Sequence, residues 1–206
     1  MPSQTDVLND ALGQIGASPI VAIDDGTVAA NWCQTFYPAL RRSMLRMSHW
    51  RFAETRAALA QDTAVPAFEF QFSYALPADM IKLVEYNSVQ LIINSPDVLL
   101  VPNVVFLAPY VGYFKIEGRH LLTNDAEVKI VYIADVTDPN IWDPLFYQVL
   151  ATWLASKLAK AITKDSKKAA TLIQEATQMW APLALAVDGQ EGSVIPYQSD
   201  DLIWGR

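Results

Sequence analysis

Few side chains of this chain are of the kinds that bind metals or act as nucleophiles. The sequence has two histidines, His49 and His120, and one cysteine, Cys33. A zinc site of histidine and cysteine needs a fuller ligand set than this, and the Asp24-Asp25 pair lacks the ligand spacing of a known calcium loop. Neither a G-x-S-x-G elbow nor a glycine-rich phosphate loop is present. We therefore predict that the protein is not an enzyme and has no cofactor or bound metal.

Arginines form a dense basic cluster in the first third of the chain. Its members are Arg41, Arg42, Arg46, Arg51 and Arg56, and a second, lysine-rich cluster follows at positions 157 to 168. A solvated helix face accounts for either cluster. Alternatively, the arginines form a subunit interface, in which they face Asp24-Asp25 or Asp135-Asp138 of a neighbouring copy and fix its register. DNA binding is a third explanation, but the arginines are not interleaved with aromatic residues in a base-stacking pattern.

The composition favours a protein that covers part of its surface with other subunits. Of 206 residues, 52% are hydrophobic and only 18% are charged, which indicates more apolar surface than a monomer needs. The net charge is −7, whereas nucleic-acid binders are more often basic because they neutralise phosphates. The length fits one domain or two small lobes that share a core. The single cysteine excludes an intrachain disulfide, and Cys33 is predicted to be buried as a small apolar group.

Two helices are predicted near the N-terminus. Ser3 or Thr5 can cap the first, and Gly16 ends it. Its apolar face consists of Val7, Leu8, Ala11, Leu12 and Ile15. Thr27 is a good cap for the second helix, which is predicted to continue to about Met47 with a bend or break near Pro38, because proline removes a backbone hydrogen bond. A further helical turn is predicted over residues 52–60.

From residue 67 the hydrophobic period changes from helical to two, which indicates strands. The first strand is marked by Phe68, Phe70, Phe72 and Tyr74, which alternate with polar residues. Further strands are predicted at residues 81–86, 89–93, 104–107, 113–117, 120–122 and 127–132. Short strands with short links predict an antiparallel meander or a small barrel, because parallel pairing needs long crossovers.

Helical signals return at two Asp-Pro pairs, Asp138-Pro139 and Asp143-Pro144, in which the aspartate can cap and the proline can occupy the first helical position. Another helix is predicted from near Asp165, with Pro182 bending or ending it. The predicted fold is therefore α+β. Residues 1–64 and 138–189 form a helical lobe, in which N- and C-terminal helices pack as a bundle, and residues 65–137 form an inserted antiparallel sheet or small barrel. Residues 190–206 form an extended C-terminal arm.

Two segments have apolar residues without a regular period. Residues 98–114 carry no charge but contain proline and glycine and are too short for a comfortable membrane span, so they are predicted to be strands and turns, or alternatively an oligomer interface or a lumen-facing loop. The arm is too short to form its own core. Its apolar residues are Val194, Ile195, Tyr197, Leu202, Ile203 and Trp204. The arm either folds back on its own domain or orders against a partner.

A series of motifs in fixed order resembles one protein family. Residues 31–59 contain Tyr-Pro, a basic helix, then Trp-x-Phe-Ala and Arg-Ala-x-Leu. Before them stands an opening helix with LN-x-x-L-x-x-I-G, and after them come Y-x-LP-x-D at residues 74–79 and a helical return from Trp142 to Ala159. Together these motifs cover most of the chain and resemble the head-to-tail adaptor of short-tailed phages, also called tail tubular protein A.

This resemblance implies a structural virion protein at the head-tail junction, assembled in the host cytoplasm. By family, twelve copies form a ring between the portal protein and the tail nozzle protein. The helical lobe is expected to pack side by side around the ring and to meet the portal, while the sheet lobe faces the nozzle. The six apolar arm residues are expected to bind the portal, and DNA is expected to pass through the lumen without specific binding.

The resemblance also raises an enzymatic alternative, since some related adaptors have been credited with peptidoglycan-cleaving activity. Glu54 and Asp62 are the candidates by position. Glycoside hydrolysis needs two facing carboxyls, one of them held protonated. Glu54 lies between Arg51 and Arg56, and positive neighbours favour its ionised form, so a surface ion pair is the simpler interpretation. The remaining alternative is a homo-oligomeric interaction module that associates through residues 98–114.

Overall fold

The structure, a computed structural model, describes residues 2–90 and 114–190. The predicted strand at 104–107, part of the one at 89–93 and nearly all of the uncharged 98–114 segment lie outside these residues. So does the predicted arm apart from its first residue, and with it all six of its apolar side chains.

Helix α1 (Gln4–Ile15) begins and ends where its capping residues predict. The Ser3 hydroxyl accepts a hydrogen bond from the amide of Asp6 at 3.2 Å, and the Asp6 carboxylate accepts one from the amide of Ser3 at 2.7 Å. Gly16 ends the helix with φ of 74°, a left-handed conformation that glycine adopts without strain. The five predicted apolar residues of α1 are all buried, so both its caps and its core face are confirmed.

Helix α2 (Val28–Met47) is capped by Thr27 and passes through Pro38 without a break. The predicted break is therefore wrong, whereas a bend at Pro38 stays a prediction. Proline costs the helix one hydrogen bond, but the flanking residues Tyr37 and Leu40 pack into the core on the same helix. Burial of such an apolar face stabilises a helix more than a single backbone bond does, so packing decides the outcome.

Seven strands lie in the described part of the chain. They are β1 (Glu54–Ala58), β2 (Phe72–Ala75), β3 (Met80–Tyr86), β4 (Val89–Gln90), β5 (Phe114–Glu117), β6 (His120–Thr123) and β7 (Lys129–Ala134). They form a four-stranded sheet in the order β1-β7-β3-β4 and a three-stranded sheet in the order β2-β6-β5, and every pair is antiparallel. The predicted antiparallel pairing is confirmed, and among these strands neither sheet closes into a barrel.

The helical turn predicted over residues 52–60 is wrong. A short 3-10 helix (Arg51–Ala53) leads directly into β1, which pairs with β7 from Glu54 opposite Ile133 to Ala58 opposite Lys129. Pairing with a distant strand overrode the local helical pattern. The four-stranded sheet thus includes residues 54–58, which were predicted to belong to the helical lobe and not to the β lobe that begins at position 65. The strand predicted from residue 67 begins only at Phe72, and Phe68 is 80% exposed.

The second helical region starts at the latter of the two Asp-Pro pairs. Asp143 caps helix α3 (Pro144–Leu158), which continues into a π-helical turn (Ala159–Thr163). Asp138, of the first pair, caps no helix and accepts a hydrogen bond from the amide of Asn140 in a turn. Asp165 caps α4 (Ser166–Glu175), and a π turn (Ala176–Trp180) joins it to α5 (Ala181–Gln190). Pro182 does not end this run, because the π turn before it already departs from regular helical hydrogen bonding.

Helices and sheets form three layers around two apolar clusters. Helix α3 lies at the centre of the helical layer, and its Phe146, Leu150 and Leu154 are fully buried. Successive residues of β7 face opposite sides, as a strand requires. Val131 and Ile133 join the helical core, whereas Ile130 and Tyr132 join the cluster between the two sheets. N- and C-terminal helices therefore share one core, with the sheet inserted between them in sequence.

Candidate functional site

Arg41 is held inside its own chain by Asp135, which follows β7. Its Nη2 and Nε atoms lie 2.7 Å and 3.2 Å from the same carboxylate oxygen, and the residue is 7% exposed. The second carboxylate oxygen lies 3.6 Å from Nε of Arg42, whose side chain is 56% exposed. Asp135 was a candidate acid for a contact between subunits. Asp135 is instead the intrachain partner of Arg41. Because Arg41 is buried, its side chain has no surface that a neighbouring copy could contact.

The Arg41 ion pair lies against the buried ring of Tyr37. The guanidinium carbon is 5.7 Å from the ring centroid, within the range of a cation–π contact. Among the residues described, the Tyr37 hydroxyl is the one buried side-chain polar atom without a hydrogen-bond partner. Burial raises the pKa of this hydroxyl, and the positive charge of Arg41 partly opposes the rise. The pair therefore fixes α2 to the end of β7 in a largely desolvated environment.

The other arginines of the cluster lie at separate places on the surface. Nη1 of Arg46 donates to the carbonyl of Ile81 at 2.7 Å, which attaches the last turn of α2 to β3. Arg51 and Arg56 both pair with Glu54, at 3.4 Å and 3.1 Å. Arg42, Arg46, Arg51 and Arg56 are exposed and remain available to a partner. The five arginines are close together in the sequence, but in the fold they bind three different acceptors: Asp135, the Ile81 carbonyl and Glu54.

Glu54 is enclosed by cations. Its side chain is 12% exposed, and besides the two arginines it has Nε2 of His49 at 3.1 Å from Oε2. Both carboxylate oxygens are thus engaged with positively charged or hydrogen-bonding groups. A glycosidase site needs a second carboxyl facing the first, whereas the partners of Glu54 are His49, Arg51 and Arg56. The expected ion pair between Glu54 and its arginine neighbours is confirmed.

Asp62 lies at the three-stranded sheet, in a different group of residues. Its Oδ2 accepts hydrogen bonds from the Ser73 hydroxyl at 2.6 Å and from Nδ1 of His120 at 2.8 Å. The Ser73 bond, followed by the His120 bond, lowers the pKa of Asp62. A catalytic triad needs serine bonded to histidine, but here serine and histidine both bond to the carboxylate. Glu54 and Asp62 share none of these partners and belong to separate hydrogen-bonded groups.

A cleft lies beside Asp62 and is lined in part by Ser73 and His120. It has a volume of about 570 Å³ and is walled mainly by residues 63–70 together with Glu117 and Leu122. Sequence inspection did not bring Ser73, Asp62 and His120 together. Ser73 is 11 positions and His120 is 58 positions from Asp62, and no local motif links the three residues. The cluster carries an ordered hydrogen-bond network without an activated nucleophile.

An apolar groove lies between α2 and the helices that follow α3. The rings of Trp32 and Phe36 stack with centroids 5.4 Å apart, and the groove of about 510 Å³ continues over Ile173. Lys157 and Lys160 also line it. Further large apolar side chains are exposed on α5, on the π turn before it and in loops. They include Val21, Val65, Phe68, Ile141, Met179 and Leu183.

Within residues 2–90 and 114–190, no group of three or more histidine, cysteine, aspartate or glutamate side chains could hold a metal ion. None of the helices there combines the length and apolar character that crossing a membrane requires. Cys33 is buried as predicted, and burial raises the pKa of its thiol to about 11.

No family model matches the chain, and no curated protein matches it.

Proposed function

We propose that this protein is a structural virion component, the head-to-tail adaptor of a short-tailed phage. The observation that carries the proposal is the ordered series of motifs along the chain, taken together with the fold. The first and last helices share a core, and an antiparallel sheet is inserted between them. This is the arrangement that the resemblance predicts, and two of the motifs contribute directly to that core through Trp50 and Phe146, whose rings lie 5.0 Å apart.

The proposed mechanism is assembly. Copies of the chain form a ring, twelve by the family resemblance, that joins the portal protein to the tail nozzle protein. Exposed apolar side chains such as Phe68 and Met179 supply surface that neighbouring proteins can cover. The arm beyond Gln190 reaches the portal, where Ile203 and Trp204 act as anchors, since buried aromatic and large apolar residues dominate such contacts. A net charge of −7 suits a channel through which DNA passes without being held.

The proposal predicts no peptidoglycan-degrading activity. Both carboxylate oxygens of Glu54 are engaged in ion pairs, and the hydrogen bonds that lower the pKa of Asp62 oppose a protonated general acid at that residue. Purified protein should release no soluble fragments from cell-wall peptidoglycan, and Glu54→Gln and Asp62→Asn variants should match it. Cleavage by the unmodified protein that disappears in Glu54→Gln would replace the structural role with an enzymatic one.

The direct test of the adaptor role is a portal-dependent ring. The protein is incubated with portal complexes purified from the same phage and followed by sedimentation and electron microscopy. We expect a large ring seated on the portal, and a variant truncated from Gly192 should stay folded but dock more weakly. A protein that forms only a small homo-oligomer and ignores the portal would instead be an interaction module. Truncated protein that docks as tightly as the full chain would remove the arm from the mechanism.

A further inference from the structure

A basic cleft lies between the last turn of α2 and the strands of both sheets. Its volume is about 420 Å³, and three cations line it: Arg46, Lys82 and Arg119. None of the described residues that line it is acidic. Its apolar lining consists of Leu76, Met80, Ile81, Leu83, Phe114 and Ile116. On a chain with a net charge of −7, such a cleft is suited to an acidic ligand that also carries an apolar side chain.

The two arginines of the cleft are held by backbone acceptors. Arg46 donates to the carbonyl of Ile81 and Arg119 donates to the carbonyl of Pro77. A guanidinium has five N–H donors, so each keeps donors for a carboxylate. Two acids are adjacent in sequence to residues that line the cleft, and both have partners of their own. Asp79 accepts a hydrogen bond from the Tyr132 hydroxyl, and Glu117 pairs with Lys115. Within the described residues, none of the three cations forms an ion pair.

A complementary surface lies in the loop between α1 and α2. Val21 is 88% exposed there, and Asp24 and Asp25 are exposed beside it. Asp25 accepts hydrogen bonds from the hydroxyl and amide of Thr27 and from the amide of Val21, and these bonds fix the shape of the loop. The bonds from Thr27 are the main cause of the lowered pKa of Asp25, so this carboxylate keeps its charge. The Asn9 side chain bonds both the amide and the carbonyl of Ile20, which fixes the loop to α1. The loop therefore presents Val21 and the Asp24 carboxylate from an ordered base.

The basic cleft and the acidic loop lie at opposite ends of one helix. Helix α2 has 20 residues, so at 1.5 Å per residue its ends are about 30 Å apart. The loop ends at its cap, and Arg46 is in its last turn. The two surfaces thus cannot meet within one copy. A contact between them has to join two copies head to tail, and contacts of this kind generate closed rings or open filaments.

We infer that the basic cleft binds the 21–26 loop of a second copy of this chain. Val21 packs on the apolar lining, and the Asp24 carboxylate binds Arg46, Lys82 and Arg119. This contact deepens the adaptor proposal and rests on it only for the closure of the ring. Complementary charges fix the register of the copies and exclude the reversed orientation, in which cleft would face cleft.

Directed disulfide formation tests this contact. Val21→Cys and Ile116→Cys variants are prepared separately, mixed and oxidised, while the buried Cys33 stays in both and in the unmodified protein as a background control. We expect a heterodimer from the mixture that clearly exceeds the homodimers of either variant. Val65→Cys, at an exposed site outside the cleft, serves as the matched control in place of Ile116→Cys. A yield no higher than this control, or no cross-link, overturns the inference.

Charge reversal gives an independent readout by sedimentation over a concentration series. Arg46→Glu or Asp24→Lys should weaken self-association at least tenfold, and the chain that carries both changes should regain most of it. Added salt should weaken the unmodified association, as exposed charge pairs require. Lys160→Glu makes the same charge change away from the cleft and should have little effect. If this control weakens association equally, or the double variant does not recover, the contact is not the one inferred.

The two proposals fail in distinguishable ways. Rings that form on the portal without the Val21–Ile116 cross-link would keep the adaptor function and reject this contact. A specific cross-link in a protein that never binds the portal would keep the contact and reject the adaptor function.

Discussion

The ion pair between Arg41 and Asp135 supplies the sharpest test of how α2 is fixed to the sheet. Replacing Arg41 with methionine keeps an unbranched apolar side chain but removes the guanidinium. Asp135, whose side chain is 20% exposed, then retains only Arg42 at 3.6 Å. The Tyr37 ring also loses its cation–π contact. The substitution thus leaves a mostly desolvated carboxylate with one weak partner.

The expected cost follows from these distances and exposures. Removing one partner of a fully buried ion pair destabilises a protein by about 3–5 kcal/mol. Here the residual exposure of Asp135 and the nearby Arg42 reduce the loss, so we expect about 2–3 kcal/mol for Arg41→Met. For a chain of this size, each kcal/mol lowers the Tm by about 2–4 °C, which gives a decrease of about 4–12 °C.

Urea unfolding and calorimetry of Arg41→Met, Asp135→Asn and the double variant measure the effect. The double variant should cost less than the sum of the single ones, with a coupling of about 1–3 kcal/mol, because either change alone already breaks the pair. Arg42→Met is the matched control. Its exposed pair should contribute less than about 1 kcal/mol. If Arg41→Met costs no more than this control, the buried pair does not hold α2 to β7.

Three further predictions concern other described contacts. Asn9→Ala should destabilise the protein by about 1–3 kcal/mol in urea unfolding, because the amide and carbonyl of Ile20 lose their partner. Tyr86→Phe should cost about 1–2 kcal/mol, because the Tyr86 hydroxyl bonds both Thr123 and Asp125. The Cys33 thiol, with its pKa raised to about 11, should resist a thiol reagent at pH 8 until urea unfolds the chain. As pH rises from about 9 to 11, the unfolded chain loses this proton first, so stability should fall in that window.

Matched measurements decide these three cases. Gln4→Ala, at an exposed position of α1, should leave the free energy of unfolding nearly unchanged. If Asn9→Ala destabilises the protein no more than Gln4→Ala does, the contact between Asn9 and the loop does not have the expected role. The Tyr86 interpretation fails if Tyr147→Phe, at a partly buried hydroxyl bonded to Asp10, costs as much or more. Rapid labelling of the folded protein would show that Cys33 is accessible.

Local chemistry made several features predictable from the sequence. Ser3, one of two predicted caps for α1, and the predicted caps Thr27 and Asp143 all cap their helices, and α4 begins after Asp165 as predicted, because a cap depends only on a side chain and the next few amides. Gly16 ends α1 for an equally local reason, its tolerance of positive φ. Antiparallel pairing followed from link length, since short turns cannot connect parallel strands.

The errors arise where distant chain segments compete with local preference. Residues 54–58 have a helical pattern but form β1, because β7 offers a complete set of hydrogen-bond partners. Pro38 and Pro182 both lie within helical runs that continue past them. At Pro38, burial of the helix face compensates for the lost backbone hydrogen bond. At Pro182, a π turn with irregular hydrogen bonding directly precedes the proline.

Composition, caps and hydrophobic period determined by themselves that this chain is α+β, where its main helices begin, and that Cys33 is buried. Only the tertiary structure decided which charges meet. Arg41 and Asp135 are 94 positions apart, and Asp62 and His120 are 58 apart. Helix caps act over a few residues of chain, whereas ion pairs act through space. Folding therefore places Arg41 inside the chain and leaves Arg46 in a cleft open to another copy.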